Sequence, residues 1–484
     1  MILLFAMAAR TPLDSDMWWH LRAGEETWRA RQPVITDTFS YTRYGERWIN
    51  HSWLSQVGMY LLFKFGGYLT LGAMMALLAT LSMFFVYLQM DIHPILRGLV
   101  LVFAALVAAK VWSPRPQLVS LVMFGAVGYI LYLFKWRKQN FLWILPIVFV
   151  LWSNLHGGYV LGLLLIGSMI GGELINHLLG LEASESLTWR GIRQLVLWEL
   201  VGALVVVINP NGFAMWTIPL QTIRVEVLQQ FVSEWASPDF HDISQQPFIW
   251  LLLATLGAAG VSSKRLDGSD LVAVSGFAYL ALVARRNYGP FAMVAAPILS
   301  RHLEAILAGW HERRFPRWAG VTNRPGIGPL STNSRPLSPR ISKAVNLFVI
   351  TVLGTAALMK LLFVTNPTVV ENFERRAFPV EAVAWIRDNG PPGRLFNAYN
   401  WGGYLVMNLP EYLVFVDGRT DLFNDEVLEE WLDVVNAKEG WQHILDKWNV
   451  NLLLLQPDMK IVDQLSNKGW QLVYSDQLAV VYVR

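Results

Sequence analysis

The chain has no cysteine, which excludes disulfides, thiolate catalysis and cysteine-ligated metal. Charge is scarce as well. Only 15% of the 484 residues are Asp, Glu, Lys or Arg, against about 25% in soluble domains. The formal net charge is +3, and the basic residues fall in short blocks, so there is no nucleic-acid footprint. The glycine spacings of Walker and Rossmann loops are missing, as are G-x-S-x-G and H-E-x-x-H. Nucleotide-loop, serine-hydrolase and zinc-protease readings therefore lack a motif. NLHGG at 154–158 lies between two apolar runs, which is not the setting of a hydrolase HGGG element. No internal repeat is found.

What the chain does contain is apolar. It is 54% hydrophobic with 22 Trp, its mean hydropathy is +0.37, and Trp favours bilayer interfaces. Apolar runs long enough to span, or nearly so, fall at about 68–88, 96–112, 117–134, 141–153, 158–176, 194–209, 248–262, 270–284, 289–307 and 344–364. They predict an α-helical polytopic membrane domain of about 10–11 transmembrane helices. The opening MILLFAMAA would make a helix of only about 14 Å, short of the roughly 20 residues a span needs. It lacks the positive start and longer core of a signal peptide. It reads as the tail of a first span, shortened by the choice of start codon.

Four basic blocks lie between runs: Lys135, Arg137 and Lys138; Arg190 and Arg193; Lys264 and Arg265; and Arg313 to Lys343, with Arg314, Arg317, Arg324, Arg335 and Arg340. Ten alternating spans put all four on one side. By the positive-inside rule that side is the cytoplasm, and the Pro-, Gly- and Ser-rich 310–343 segment is a cytoplasmic loop. The other side receives a first external loop at 10–66, SPRPQ at 113–117, NLHGG, the 210–247 loop, RRN at 285–287 and everything after 365. This makes the protein multi-pass in the cytoplasmic (inner) membrane, with residues 1–365 as the membrane domain. The tail, 366–484, alternates amphipathic stretches (FPVEAVAWIRDNG, DEVLEEWLDVVN) with β-type runs (YLVFVDG, VNLLLLQ, AVVYVR). That alternation predicts a C-terminal extracytoplasmic α/β domain.

The densest polar cluster is DSDMWWHLRAGEETW in the first external loop. Asp16 to Arg31 reads as an interfacial helix, with Trp18 and Trp19 as headgroup anchors. Asp14, Ser15 and Asp16 suit helix capping, but one cap needs one residue, and Asp16 and His20 share a helix face. A second amphipathic stretch at 51–65 follows. The polar residues expected outside include His51 and His156 beside Asn50 and Asn154, and the cations Arg22, Arg115, Arg285 and Arg286. Glu234, Asp239 and His241 in SEWASPDFHD have the donor types of a divalent metal site, or they cap a structured loop.

The acid, aromatic pair and His-Leu-Arg of DSDMWWHLR resemble the segment that opens the first external loop of oligosaccharyltransferase catalytic subunits and bacterial mannosyltransferase-like proteins. Those are GT-C glycosyltransferases. TDTFSYT, WINHSWL, NLHGGY, VSEWASPDF and NWGGYLVMNLPEYLVFVDGRTDLF resemble a bacterial subfamily with largely undefined substrates. The resemblance implies transfer of a sugar from a polyprenyl-phosphate donor to an extracytoplasmic glycan, lipid or protein acceptor. It implies an Asp base, Asp14 or Asp16, and cationic partners for the phosphate, for which Arg22, Arg115, Arg285 and Arg286 are the external candidates. Arg115 could instead anchor its loop at the headgroups, and Arg285 and Arg286 could meet anionic lipid. His20, His51 and His156 are candidate substrate contacts, with buried hydrogen-bonded histidine the alternative for His51 and His156. Bidentate Arg suits the departing phosphate. The acceptor-reading Trp-Trp-Asp-Tyr-Gly element of oligosaccharyltransferases has only an echo, in Trp401 and Tyr404 of NWGGY. Asp417 and Arg419 of VDGRTDLF follow a strand-like run and form either a substrate site or an Asp-Gly turn with its own ion pair. No cofactor is required by these motifs, and a divalent metal is the one left open. Two other readings of the chain are a transporter or flippase of a lipid-linked saccharide, and a non-catalytic envelope-assembly protein on the same scaffold.

Overall fold

The computed structural model describes residues 1–181, 185–219, 227, 232–314 and 338–484. Most of the expected 310–343 loop lies outside the described residues, as does part of 210–247. Each of the ten apolar runs is a helix. In chain order they are α3 (Trp53–Leu88), α4 (Pro94–Ala108), α5 (Gln117–Lys135), α6 (Leu145–Leu155), α7 (Tyr159–Leu178), α8 (Trp189–Val205), α9 (Gln246–Val261), α10 (Gly268–Val283), α11 (Tyr288–Arg314) and α12 (Pro339–Val364). Among the described residues six of them, counting short 3-10 extensions of α4 and α11, are long and apolar enough to cross a membrane, while α6 and α10 are shorter apolar helices. They are preceded by α1 (Ile2–Ala8), which packs on α3 and α12, and α2 (Met17–Ala30).

The bundle buries one continuous apolar core. The exposed Leu347, Phe348 and Ile350 of α12 face outward, as lipid-facing residues do. The expected second interfacial helix and the first long run form one element, α3, broken at Gly66 and Gly67. Gly67 has φ 55°, a left-handed conformation that glycine adopts without cost. The chain therefore turns there between an amphipathic half and a spanning half.

One end of the bundle collects the basic connections. Lys135 is fully buried and pairs with Glu173 and with Asp267 at 2.5 Å. Arg137 meets Asp91 at 2.7 Å and Arg301 meets Asp270 at 2.6 Å. α5 runs from that end to Arg115, about 30 Å away at 1.5 Å per residue.

At the Arg115 end sits the tail. After α13 (Pro367–Ala377) and α14 (Val380–Asn389) come β1 (Arg394–Asn397), α15 (Gly402–Asn408), α16 (Thr420–Val435), α17 (Trp441–Lys447), β2 (Val450–Leu455), β3 (Gln471–Ser475) and β4 (Val480–Val483). The strands form one sheet in the order β1-β2-β4-β3. β1 pairs β2 in parallel, with Leu395 opposite Leu452, and the other pairs are antiparallel.

The tail shares its core with the first loop. Met17, Trp18, Trp19, Leu21, Phe39 and Trp48 lie in the same cluster as Phe378, Tyr404, Val414 and Leu452. This corrects the reading of Trp18 and Trp19 as headgroup anchors. Both are buried. Trp18 meets Tyr404 and Phe378 edge-on at 5.2 and 5.8 Å, and Trp19 meets Trp48 at 5.8 Å. Edge-to-face aromatic partners on protein take the place of lipid headgroups, and of the three tryptophans in this helix only Trp28 remains well exposed.

Candidate active site

Arg115 stands in a Pro-Arg-Pro turn just before α5, where the prolines restrict the backbone and Nε donates to Ser113 Oγ at 2.9 Å. Three carboxylates converge on its guanidinium. Nη1 donates to Asp16 Oδ2 at 2.8 Å, Nη2 donates to Glu234 Oε2 at 2.7 Å, and Nε lies 3.4 Å from Asp14 Oδ2. The two acids of the first loop differ in their other duties. Asp14 Oδ1 accepts the Asp16 backbone N–H at 2.9 Å, so Asp14 shapes the turn into α2. The Asp16 backbone carbonyl accepts the His20 N–H at 3.2 Å, but its carboxylate caps no backbone N–H, and its side chain is 20% exposed.

Burial drives the Asp16 carboxyl up, to about 7. The attraction of Arg115 opposes that shift and the negative Asp14 and Glu234 reinforce it. Burial also acts upward on Glu234, but Arg115 and Arg286 outweigh it and hold Glu234 below the usual carboxylate range. Two guanidiniums favour the charged form of Glu234, whereas Asp16 sits between two like charges with Arg115 as its one ion-pair partner among the described residues, so the proton affinity of the cluster falls on Asp16.

Glu234 is fixed by its backbone, whose carbonyl accepts the Arg286 N–H at 3.0 Å. The Arg286 guanidinium lies over the Trp235 ring at 4.1 Å and makes no hydrogen bond or ion pair among the described residues.

Three histidines adjoin these charges. The Gly157 N–H donates to His51 Nδ1 and the Gly158 N–H to His156 Nδ1, both at 3.1 Å. The two ring centroids are 5.4 Å apart. Gln56 and Asn50 bond each other reciprocally, and the second amide hydrogen of Gln56 approaches His20 Nδ1 at 3.3 Å. An imidazole accepting at Nδ1 carries its proton on Nε2. Burial holds all three below the usual histidine range, so they are neutral Nε2–H donors. Those Nε2 groups have no partner among the described residues. NLHGG thus works through its glycine N–H groups, which fix two imidazoles in one tautomer.

The tail closes the site through backbone. A Cβ on Gly418 would lie 1.9 Å from Asp16 Oδ1 and 3.1 Å from Trp19 Nε1, and one on Gly403 would lie 2.3 Å from the Ser15 carbonyl. Only glycine lets the two segments approach this closely. On either side of Gly418, Asp417 and Arg419 are fully buried. Arg419 binds Asp417 at 2.7 Å and Asp37 of the first loop at 2.6 Å, with the Trp48 and Phe39 rings about 5 Å from its Cζ.

Other expected positions lie apart from this cluster. Asp417 and Arg419 form a sealed ion triad with Asp37, so neither side chain is open to a substrate. Trp401 and Tyr404 are core residues, 1% and 4% exposed, with the Trp401 indole bonded to Ala377 O. Arg22 is neutralised on its own helix by Glu25 and Glu26, and Arg285 bonds the Ala236 carbonyl away from the acids. Glu234, Asp239 and His241 do not converge. Glu234 is taken by Arg115, while Asp239 accepts the His241 backbone N–H. Among the described residues no group of three His, Cys, Asp or Glu could hold a metal. Sequence reasoning missed Asp37 as the third member of the triad, and it missed that Asp421 lies close to His51. Both sit in quoted motifs, TDTFSYT and VDGRTDLF, but nothing local reveals their partners.

No family model and no curated sequence matches the chain. Solved structures do. The archaeal oligosaccharyltransferase AglB from Archaeoglobus fulgidus, in complex with an inhibitory peptide and a dolichol-phosphate, matches with TM-score 0.54 at 10% identity. The match covers 93% of this chain and 66% of that one. The Archaeoglobus fulgidus oligosaccharyltransferase in the apo form matches with TM-score 0.50 at 12% identity, over 94% and 68%. ArnT from Cupriavidus metallidurans bound to undecaprenyl phosphate gives TM-score 0.48 at 13% identity, over 99% and 96%. The chain shares the fold of the two archaeal oligosaccharyltransferase structures and spans about two thirds of their length.

Proposed function

We propose that this chain is a glycosyltransferase of the cytoplasmic membrane that moves a sugar from a polyprenyl-phosphate donor to an extracytoplasmic acceptor, with Asp16 as the base. The observation that carries this reading is the Asp14–Asp16–Glu234 cluster on Arg115, in which Asp16 has a proton affinity near neutrality and a partly open carboxylate. A base is most effective when its pKa lies near the working pH. The acceptor's hydroxyl or amide attacks the anomeric carbon as the bond to phosphate oxygen breaks. Its proton passes to Asp16, and the lipid phosphate departs as an anion. Arg286 and the Nε2–H groups of His20, His51 and His156 supply unpaired donors for that charge. Arg115 orients the base, since its Nη1 and Nη2 each hold an acid of the cluster.

Sidedness rests on the basic connections at the far end of the bundle. On this reading residues 1–365 carry the donor side and 366–484 form an extracytoplasmic domain that closes over the base. The Lys135–Glu173–Asp267 network supports transfer over transport. Charges on a transport path face an open route, whereas Lys135 and Glu173 are sealed and neutralise each other. Purified protein given polyprenyl-phosphate sugars and envelope acceptors is expected to release free lipid phosphate. Movement of intact lipid-linked sugar across a vesicle, without release, contradicts the proposal.

Gly418→Ala tests the site's assembly. The added methyl meets Asp16 Oδ1, and the neighbours of Gly418 are pinned by ion pairs, so the carboxylate is the group that gives way. Displacement of a base by about 1 Å costs on the order of 100-fold. Turnover is expected to fall by about that factor while the protein still purifies as a folded species.

A further inference from the structure

Beside the sheet lies an open cleft of about 370 Å³ that has no part in the reaction described above. Its walls come from the first loop (Tyr41, Tyr44) and the tail (Arg394, Glu411, Tyr412), and its volume falls within the range of small-molecule sites.

The aromatic wall is held in place before anything binds. Tyr41 meets Phe415 and Trp448 edge-on at 5.9 and 6.3 Å, with the Arg394 Cζ 5.3 Å from its ring. Tyr412 donates its hydroxyl to Pro391 O at 2.7 Å. Tyr44, by contrast, is 63% exposed. The Tyr41 hydroxyl is buried without a hydrogen-bond partner, and Glu411 makes no ion pair or hydrogen bond among the described residues. Fixed rings cost little entropy on binding. Arg394 is anchored by Nη1 donating to Trp448 O at 3.1 Å, and an exposed tyrosine sharing the cleft with this cation and with Glu411 suits a neutral ligand with apolar faces and many hydroxyls.

A peptide fits less well. The usual way for a peptide to join a sheet is to add along a free edge. β1 is the edge strand here, but its open side is covered by 414–416. Asn397 Nδ2 donates to Val416 O at 2.8 Å and Asn397 Oδ1 accepts the Phe415 N–H at 2.9 Å. The Tyr41 N–H is spent on Val414 O, and the Val414 N–H on Phe39 O. Side chains, not backbone, are what the cleft offers.

The geometry points to a saccharide-binding cleft, formed jointly by the first loop and the tail around Tyr41, Tyr44, Arg394, Glu411 and Tyr412, that holds a glycan chain at a distance from the base. Leu413 lines the cleft and Gly418 touches Asp16. They are five positions apart, so this wall of the cleft lies at most ~18 Å along the chain from the residue that touches the base. A glycan of several units reaches from one to the other. That the bound saccharide is the acceptor rests on the transfer reading, but that the cleft binds saccharide does not.

The test uses the full-length protein in detergent, applied to an array of neutral hexasaccharides of glucose, mannose, arabinose and N-acetylglucosamine. The strongest binder is then titrated against wild type, Tyr44→Ala, Glu411→Gln and Asp16→Asn. Tyr44→Ala is expected to weaken binding at least about tenfold, Glu411→Gln to weaken it, and Asp16→Asn to leave it unchanged. Retention of that saccharide by Asp16→Asn alongside lost turnover separates the cleft from the reaction. No binding by any hexasaccharide, equal binding by Tyr44→Ala, or displacement of the saccharide by a peptide overturns the proposal.

Discussion

Asp16→Asn is expected to lower sugar transfer by about 10²- to 10⁴-fold, the usual contribution of a general base, while Asp14→Asn keeps most of it. The contrast follows from what each carboxylate does. Asp14 Oδ1 accepts the Asp16 N–H, and an asparagine carbonyl accepts the same bond. Asp16 has no such backbone duty. An amide at that position still accepts from Arg115 Nη1 but cannot take a proton from an acceptor. Folding is expected to survive both changes, since each removes one negative charge from a cluster in which acids outnumber the cations. Turnover of purified variants checks this, and equal loss in both would move the base role away from Asp16 alone.

The second large effect concerns stability. Arg419→Met is expected to cost about 3–5 kcal/mol, the penalty for leaving buried charges unpaired. Asp37 and Asp417 are both fully buried against Arg419, and methionine leaves both without a cation. The loss falls on the joint between the first loop and the tail, because Asp37 belongs to one and Asp417 to the other. Lys438→Ala provides the comparison. Its ion pair with Asp433 is exposed, and removing it is expected to cost less than about 1 kcal/mol. Apparent melting temperatures in detergent measure both, and a similar small shift for each would contradict the role given to the triad.

Much of the fold was legible because it depends on local composition. The apolar runs are the helices, the Gly-Gly pair at 66–67 separates an amphipathic half from a spanning half, and the alternating tail forms a sheet. The acid pair and Arg115 were legible as residues, and so were His51 and His156. Their combination was not. Arg115 reads as a phosphate ligand from its sequence, yet it is consumed by Asp14, Asp16 and Glu234, which lie about 100 residues away on either side. Trp18 and Trp19 carry the composition of a lipid interface, and only the tail's Tyr404 and Phe378 make them core. Asp37 and Arg419 are 382 positions apart, and no local pattern encodes a pairing of that range. The motif glycines at 403 and 418 are explained by the acids they touch, which are likewise distant in the chain.

The central claim is that the carboxylate of Asp16 is the base, and the pH dependence of lipid-phosphate release tests it most directly. The folded protein raises this carboxyl to about 7, so below that pH the group is protonated and cannot accept a proton. The titration belongs to the coupled acids as a set, with Asp16 its open member. Release from a polyprenyl-phosphate sugar is predicted to climb about tenfold per pH unit below 7, to be half-maximal near pH 7 and level above it. Asp16→Asn is predicted to show only residual release without that rise. Wild-type release that is the same at pH 5 and pH 8, or Asp16→Asn release that follows the wild-type curve, would contradict the account.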